Sequence, residues 1–175
     1  MAPSELAVHD EALVDRALRG DQGAFRALYE RYAPMVHAVL LARSGPREAE
    51  DAMQEVFLAA WRGLAQLRER AHAGAWLATI ARHHAARRHA RARPPAEELS
   101  EEPVARAVDA SGAEVLAILR ALPEAYAETL SMRLVQGMSG PEIAAATGLT
   151  HGSVRVNLSR GMKMLKERLR QEGWP

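Results

Sequence analysis

The chain has 175 residues, 48% of them hydrophobic and 26% charged, which is typical of a folded globular protein and excludes a disordered one. Its 23 lysines and arginines nearly balance 22 aspartates and glutamates. The absence of cysteine excludes disulfides, thiolate zinc sites and a cysteine nucleophile. The acidic start does not resemble a signal peptide, and no stretch is apolar enough for a membrane span. The sequence therefore predicts a soluble cytoplasmic protein with one ordinary domain or two small ones.

Charge is distributed unevenly along the chain. Residues 82–93 contain five arginines and three histidines but no acidic residue. Residues 94–114 contain six acidic residues against one arginine, and residues 151–170 contain six cationic residues against one glutamate. Two basic segments separated by an acidic one predict two contact surfaces for a polyanion.

The apolar residues of the first half recur with helical spacing. Asp21 is placed to cap a helix whose apolar residues follow the i, i+3, i+4, i+7 pattern: Phe25, Leu28, Tyr29 and Tyr32. Pro34 begins a further segment, and a helix over residues 46–66 carries one continuous stripe. That stripe consists of Met53, Val56, Phe57, Ala60, Trp61 and Leu64. A last stripe, from Trp76 to His84, lies on a helix that runs into the arginine-rich segment.

Residues 94–112 are acidic, rich in proline and weakly periodic, which predicts a flexible linker. Beyond it we expect a helix over residues 114–122, a second helix from Pro123 and two more after that. The sequence thus predicts an all-α fold of two small helical domains, over residues 10–93 and 113–172, joined by this linker.

The second domain carries a helix-turn-helix pattern. Ser139 precedes a short helix, Gly148 supplies a turn, and Thr150 is placed to cap a longer helix. This plan presents the early residues of the second helix to the major groove of DNA. The candidate contact residues are Thr150, His151, Ser153, Arg155, Val156, Asn157, Arg160 and Lys163. Arginine can read guanine, asparagine can read adenine, and lysine suits phosphate. A helical hairpin with a solvated basic face is the alternative interpretation.

Two motifs in the first domain narrow the function. Residues 50–61, EDAMQEVFLAAW, resemble the AED-x-x-QEVF-x-x-x-W signature of bacterial sigma factors of the extracytoplasmic-function (ECF) group. Residues 76–83, WLATIARH, resemble the WL-x-x-IAR-N segment of the same family, and residues 148–155 resemble its C-terminal domain. The resemblance covers about residues 10–93 and 113–170, in the order expected for the family.

This resemblance implies a sigma factor that binds core RNA polymerase and recognises promoter DNA at the −35 and −10 elements. It implies polymerase contacts by Asp51, Gln54 and Glu55, whose positions turn away from the apolar stripe of their helix. The family's −10 contacts correspond to Trp76, Arg82, His83, Arg87 and Arg88. The preceding loop, residues 67–74, would trap an unstacked base of the melted strand. An anti-sigma factor is a further expected partner.

The sequence departs from the family pattern at three places. His83 stands where the family usually has asparagine, Val156 and Asn157 replace a common serine–arginine pair, and Gly161 replaces an alanine. Promoter preference is therefore not transferable from other members of the family.

We expect no enzymatic activity, no cofactor and no metal. The histidines of residues 83–89 are not spaced as two metal ligands on one helix face, and no phosphate-binding glycine loop is present. Two alternative functions remain at this point. One is a helix-turn-helix regulator with an N-terminal dimerisation or sensing domain; the other is a helical adaptor that binds only proteins.

Overall fold

The computed structural model describes residues 3–91 and 110–174, with side chains described for residues 9–88 and 112–174. Its helices are α1 (Pro3–Leu18), α2 (Gln22–Leu41), α3 (Pro46–Gly63), α4 (Ala73–Arg91), α5 (Ala110–Arg120), α6 (Glu124–Leu134), α7 (Gly140–Thr147) and α8 (His151–Gln171). These described ranges contain no strand, and the all-α prediction is confirmed. Most of the expected linker lies outside the described residues, and α5 begins at Ala110, within its last three positions.

Capping groups, proline and a 3-10 turn set where the first helices begin and end. The carboxylate of Asp21 accepts the Ala24 backbone N–H at 3.1 Å, which satisfies one unpaired donor at the start of α2. A proline occupies the first turn of α3, where its missing N–H costs nothing. The chain then tightens into a 3-10 turn over Leu64–Gln66, so α3 ends three residues before the predicted boundary.

Caps define the helix-turn-helix as well. The Ser139 hydroxyl accepts the Glu142 N–H, and the Glu142 carboxylate accepts the Ser139 N–H at 2.7 Å, which forms a capping box. Gly148 ends α7 with φ of 75°, a left-handed conformation that favours glycine. The Thr150 hydroxyl accepts the Ser153 N–H at 3.1 Å, so α8 begins directly after the turn. The direction of α8 relative to α7 is therefore fixed by short-range geometry.

The two halves of the chain pack directly against each other. One cluster of buried apolar residues runs from α1–α4 into α6, α7 and α8, where its members are Met132, Ile143, Ala144, Ala146 and Val154. The contact is close at the start of α4, because a Cβ at Gly74 would overlap the carbonyl oxygen of Ala146. A Cβ at Gly148 would lie 3.4 Å from that of Ala75. A second, smaller cluster holds α5, α6 and α8 together and includes Ala42, directly after α2.

His37 makes the contact between the halves sensitive to pH. Its Nδ1 accepts a hydrogen bond from the Gln136 side-chain amide at 2.9 Å, which requires the neutral ring. Burial lowers the pKa of His37 below its ordinary value of 6.5, and the opposing influence of Glu50 is weaker. A depressed histidine pKa means that the unfolded state takes up the proton first. Its contribution to stability is therefore complete above about pH 6.5 and is lost as the pH falls.

We accordingly expect the free energy of unfolding to fall between pH 7 and pH 5.5 more steeply in the wild type than in His37→Gln. Denaturant titrations of both proteins across this range measure the difference, and the other histidines cancel in the comparison. Equal slopes for the two proteins would contradict the assignment.

Candidate nucleic-acid and polymerase interfaces

The exposed face of α8 carries the candidate −35 residues. Thr150, His151, Ser153, Arg155, Val156, Arg160 and Lys163 are exposed, and Asn157 is half-buried. Val154 and Leu165, on the opposite face, are buried against the rest of the domain. The structure thus places all eight candidates on or beside one open surface whose donors and apolar groups can reach base edges and phosphates.

Gly161 allows α8 to approach α6 closely. A Cβ at this position would lie 3.0 Å from the Cβ of Tyr126 and 3.1 Å from Cδ1 of Leu130, which is tighter than ordinary van der Waals contact. The lack of a side chain at Gly161 therefore permits the close packing of α8 against α6. This packing fixes the buried face of α8, while the opposite face of the helix remains exposed.

The candidate −10 residues do not form a single open surface. His83 and Arg87 are exposed, whereas Trp76 is partly buried against the core of the first half. Arg88 lies 3.9 Å from the Glu55 carboxylate on α3. The buried ring of His84 is 2.7 Å from the same carboxylate, through its Nε2. Glu55 therefore connects α3 to α4, although the family resemblance implied a polymerase contact for it.

Arg82 contacts the second half of the chain. Its guanidinium donates to both carboxylate oxygens of Glu128 on α6, with Nη2 2.8 Å from Oε2 and Nε 3.0 Å from Oε1. Arg43, two residues after α2, donates to the same Glu128 and also forms a two-pronged hydrogen bond to Glu124, at 3.0 and 2.7 Å. The hydrogen bond to Glu128 raises the pKa of Arg82 above its usual range. We call these four residues the Glu128 cluster.

The loop before α4 forms a cleft. Its lining consists of Glu11, Leu67, Arg68, Glu69, Arg70, Ala71 and His72. Arg70 is held by Asp15 of α1, and His72 Nδ1 lies 2.8 Å from the Glu69 carboxylate. This cleft is part of the loop that the family resemblance implied for capture of an unstacked base.

The exposed face of α3 carries Asp51 and Gln54 beside an apolar groove. We define the α2–α3 groove by its lining: Phe25, Tyr29, Glu50, Met53, Gln54, Phe57, Leu58 and Trp61. Leu58 is 45% and Trp61 41% exposed, and the Trp61 ring packs edge-on against Phe25 at 4.7 Å between centroids.

The apolar periodicity of α3 predicted that Trp61 belongs to the buried stripe. Its exposure shows that it lies at the margin of that stripe.

Sequence reasoning missed both this groove and the Glu128 cluster. The sequence holds a weak indication of the groove. Leu58 is a large apolar residue directly after Phe57, so it lies outside the apolar stripe of the same helix. The Glu128 cluster had none, because its members come from helices far apart in the sequence.

Within the part of the chain that the structure describes, no group of histidine and acidic side chains is arranged to hold a metal ion. Among the same residues, no helix combines the length and hydrophobicity needed to cross a membrane.

Comparison with known proteins matches residues 28–110 to the family "Sigma-70 region 2" and residues 112–165 to "Sigma-70, region 4". The chain is 36% identical to the ECF RNA polymerase sigma factor SigD of Mycobacterium tuberculosis, with 91% of this chain and 83% of that protein covered. It is 28% identical to the ECF RNA polymerase sigma-E factor of Haemophilus influenzae, over 91% and 95% of the two chains.

A solved structure of CnrH in complex with the cytosolic domain of CnrY is 27% identical, has a TM-score of 0.63, and matches 93% of this chain and 98% of that one. The sigma factor RpoE of Bartonella quintana, solved with the anti-sigma factor NepR, shares the fold with a TM-score of 0.55 at 22% identity. Both curated relatives named here are sigma factors, so the alternative of an ordinary helix-turn-helix regulator is not better supported. The chain belongs to the ECF sigma factors, DNA-binding initiation factors that direct transcription by RNA polymerase.

Proposed function

We propose that α8 reads the −35 element and that α4, with the loop before it, binds the −10 element and assists its melting. The exposed basic face of α8 carries this proposal, because its donors project from a helix whose direction is fixed by the turn at Gly148. In α4, His83 and Arg87 are exposed, and the cleft in the loop that precedes the helix has room for an unstacked base. Residues 10–93 and 113–172 are the corresponding domains.

Core RNA polymerase binds, in this proposal, to Asp51 and Gln54 and to the apolar surface beside them. A charged and hydrogen-bonding pair next to exposed apolar side chains has the composition of a protein interface, in which polar groups surround an apolar centre. Glu55 contributes at the edge of this surface, and it also pairs with His84 and lies 3.9 Å from Arg88.

The chain has no catalytic role of its own in this proposal, and opening of the promoter is driven by preferential binding of the melted strand. It acts where the polymerase is, in the cytoplasm. Two of the solved relatives are complexes, CnrH with the cytosolic domain of CnrY and RpoE with the anti-sigma factor NepR, and the second of these supports an anti-sigma partner for this chain as well.

Run-off transcription tests the proposed function. Purified core polymerase is assayed on a library of genomic promoter fragments with and without this protein. Start sites that appear only with the protein support the proposal. Core polymerase that gives the same transcripts in both reactions would refute it, and tight, specific duplex binding by the protein alone would favour a conventional regulator.

Leu58→Ala tests the role of the α2–α3 groove. Because Leu58 is already 45% exposed, its truncation should change stability little. Burial of the exposed part of this side chain in an interface is worth about 1 kcal/mol, so truncation should lower affinity for core polymerase about fivefold. Titration of labelled protein with core polymerase measures this effect. Leu18→Ala, on α1 and 38% exposed, is the matched control, and equal affinities for the two variants would exclude the groove from the interface.

A further inference from the structure

The exposure of Val156 sets it apart within α8, a helix that the structure describes in full. Among the other large apolar residues of α8, Val154 and Leu165 are buried and the rest are half-buried, whereas Val156 is 41% exposed. At 3.6 residues per turn, Val156 lies about 200° around the helix from Val154, on the side opposite the core. The helix therefore presents an aliphatic group at the centre of its proposed −35 surface.

Neither burial nor helix propensity accounts for a valine at this position. An exposed side chain adds little to the hydrophobic core, and β-branched residues are poorer helix formers than alanine because the helix restricts them to one rotamer. The same restriction favours binding, since a side chain that is already fixed loses little conformational entropy when it makes a contact. Val156 is thus better suited to recognition than to folding.

The residues around Val156 leave its two methyl groups unobstructed. Its neighbours one turn before and one turn after are Gly152, Ser153, Ser159 and Arg160, and three of these four are small. A Cβ at Gly152 would lie 3.8 Å from the hydroxyl oxygen of the helix cap, an ordinary contact, so packing does not require glycine there. Because helical side chains lean toward the N-terminus, the valine methyl groups lie beside this glycine. We call this shallow depression the Gly152–Val156 notch.

The major groove of DNA offers one aliphatic group that suits the notch. Thymine carries a 5-methyl group on its major-groove edge, and the other three bases lack it. A valine side chain neither donates nor accepts a hydrogen bond, so covering a polar base edge with it leaves that edge unpaired. The exposed cations nearby, Arg155, Arg160 and Lys163, provide the polar contacts to phosphates and base edges on either side.

We propose that Val156 determines specificity at one position of the −35 element by packing its methyl groups against the 5-methyl group of a thymine in the Gly152–Val156 notch. This inference rests on the proposed function, which brings α8 to the −35 element, and it adds the base that one position selects. The notch accepts 5-methylcytosine as well, because this base carries its methyl group at the same ring position.

Removing one methyl group from the DNA tests the contact. Holoenzyme is bound to a promoter identified by run-off transcription, in which each thymine of either strand of the −35 element is replaced in turn by uracil. Uracil keeps every hydrogen-bonding group of thymine and lacks only the methyl group. At one position, competition binding should show about fourfold weaker binding of the uracil promoter by wild-type holoenzyme, the factor expected for one buried methyl group. Holoenzyme with Val156→Ala should bind both promoters equally.

Val135→Ala is the matched control. Val135 is 43% exposed at the end of α6, outside the candidate −35 residues, so its truncation should leave the fourfold difference unchanged. Alanine is a better helix former than valine, and circular dichroism should therefore show that Val156→Ala retains its helical content.

A second probe adds a methyl group instead of removing one. The selected thymine is replaced by cytosine, and this promoter is compared with one that carries 5-methylcytosine at the same position. Wild-type holoenzyme should bind the methylated promoter about fourfold more tightly, and holoenzyme with Val156→Ala should not distinguish the two.

The proposal is overturned if neither probe reveals a methyl-dependent difference, or if Val156→Ala retains such a difference. A fully active −35 element made only of G·C pairs would overturn it as well. Holoenzyme that binds equally well after replacement of the whole −35 element would refute the assignment of α8, and this proposal with it. Holoenzyme that depends on the −35 element but responds to neither probe would refute only the role of Val156.

Discussion

Replacing Asp51 and Gln54 together with alanine is expected to reduce start-site-specific RNA synthesis by about thirtyfold or more at limiting sigma concentration. Both side chains are exposed on α3 beside the α2–α3 groove, so their loss removes the proposed polymerase contacts and disturbs little of the fold. One well-placed interface residue is worth about 2 kcal/mol, which corresponds to this factor. Run-off transcription titrated with each protein measures the change.

Glu55 is left intact in this variant for a structural reason. Its carboxylate pairs with the buried His84, so removing it would disturb the α3–α4 packing and confuse a binding defect with a folding defect. Glu114→Ala, which removes an exposed carboxylate from α5, is the control and should retain full activity. Undiminished transcription by the Asp51 and Gln54 variant would refute the assignment of the polymerase surface.

Replacing Arg155 with alanine is expected to relax sequence preference at one position of the −35 element. Arg155 is exposed near the start of α8, where a guanidinium can donate two bonds to a guanine. Loss of such a contact costs about 1–3 kcal/mol of discrimination between the right and wrong base. Transcription from a set of promoters substituted singly across the −35 element, with holoenzyme containing either protein, measures the preference.

Lys163→Ala provides the contrast. A phosphate contact carries no sequence information, so its loss should weaken all promoters alike and reduce the dependence of binding on salt by about one counterion. Arg168→Ala, exposed further along α8, is the control outside the candidate surface. If Arg155→Ala weakens every −35 variant by the same factor, Arg155 contacts backbone rather than base.

Local patterns account for most of the fold that could be predicted. Helix caps are short-range chemistry, and the caps predicted at Asp21 and Thr150 are both formed in the structure. Ser139, which the sequence placed directly before a helix, caps that helix as well. Helical periodicity likewise predicted the burial of His84. The predicted end of α3 lies three residues beyond the observed one, because a 3-10 turn continues the apolar pattern for three residues without continuing the α-helix.

Contacts between distant helices could not be predicted in the same way. Arg43 and Glu128 are 85 residues apart, and neither sequence neighbourhood distinguishes a buried ion pair from two solvated charges. Trp61 lies on the apolar face of α3, but at the edge of that face. Whether a residue at the edge is buried depends on how α2 packs against α3. The candidate −10 residues could therefore be named one by one from the sequence, but the structure was needed to show which of them are exposed and which contact other side chains.

The apolar cluster that α6, α7 and α8 share with the first half affects how the level of transcription depends on the concentration of this protein. Every partner that needs the halves apart must supply the free energy of separating them, so its apparent dissociation constant exceeds the intrinsic one by the reciprocal of the open fraction. At low abundance such a chain competes poorly with other initiation factors for a limited pool of enzyme. A rise in its synthesis then increases holoenzyme formation gradually, over a range of concentrations that is higher by the same factor.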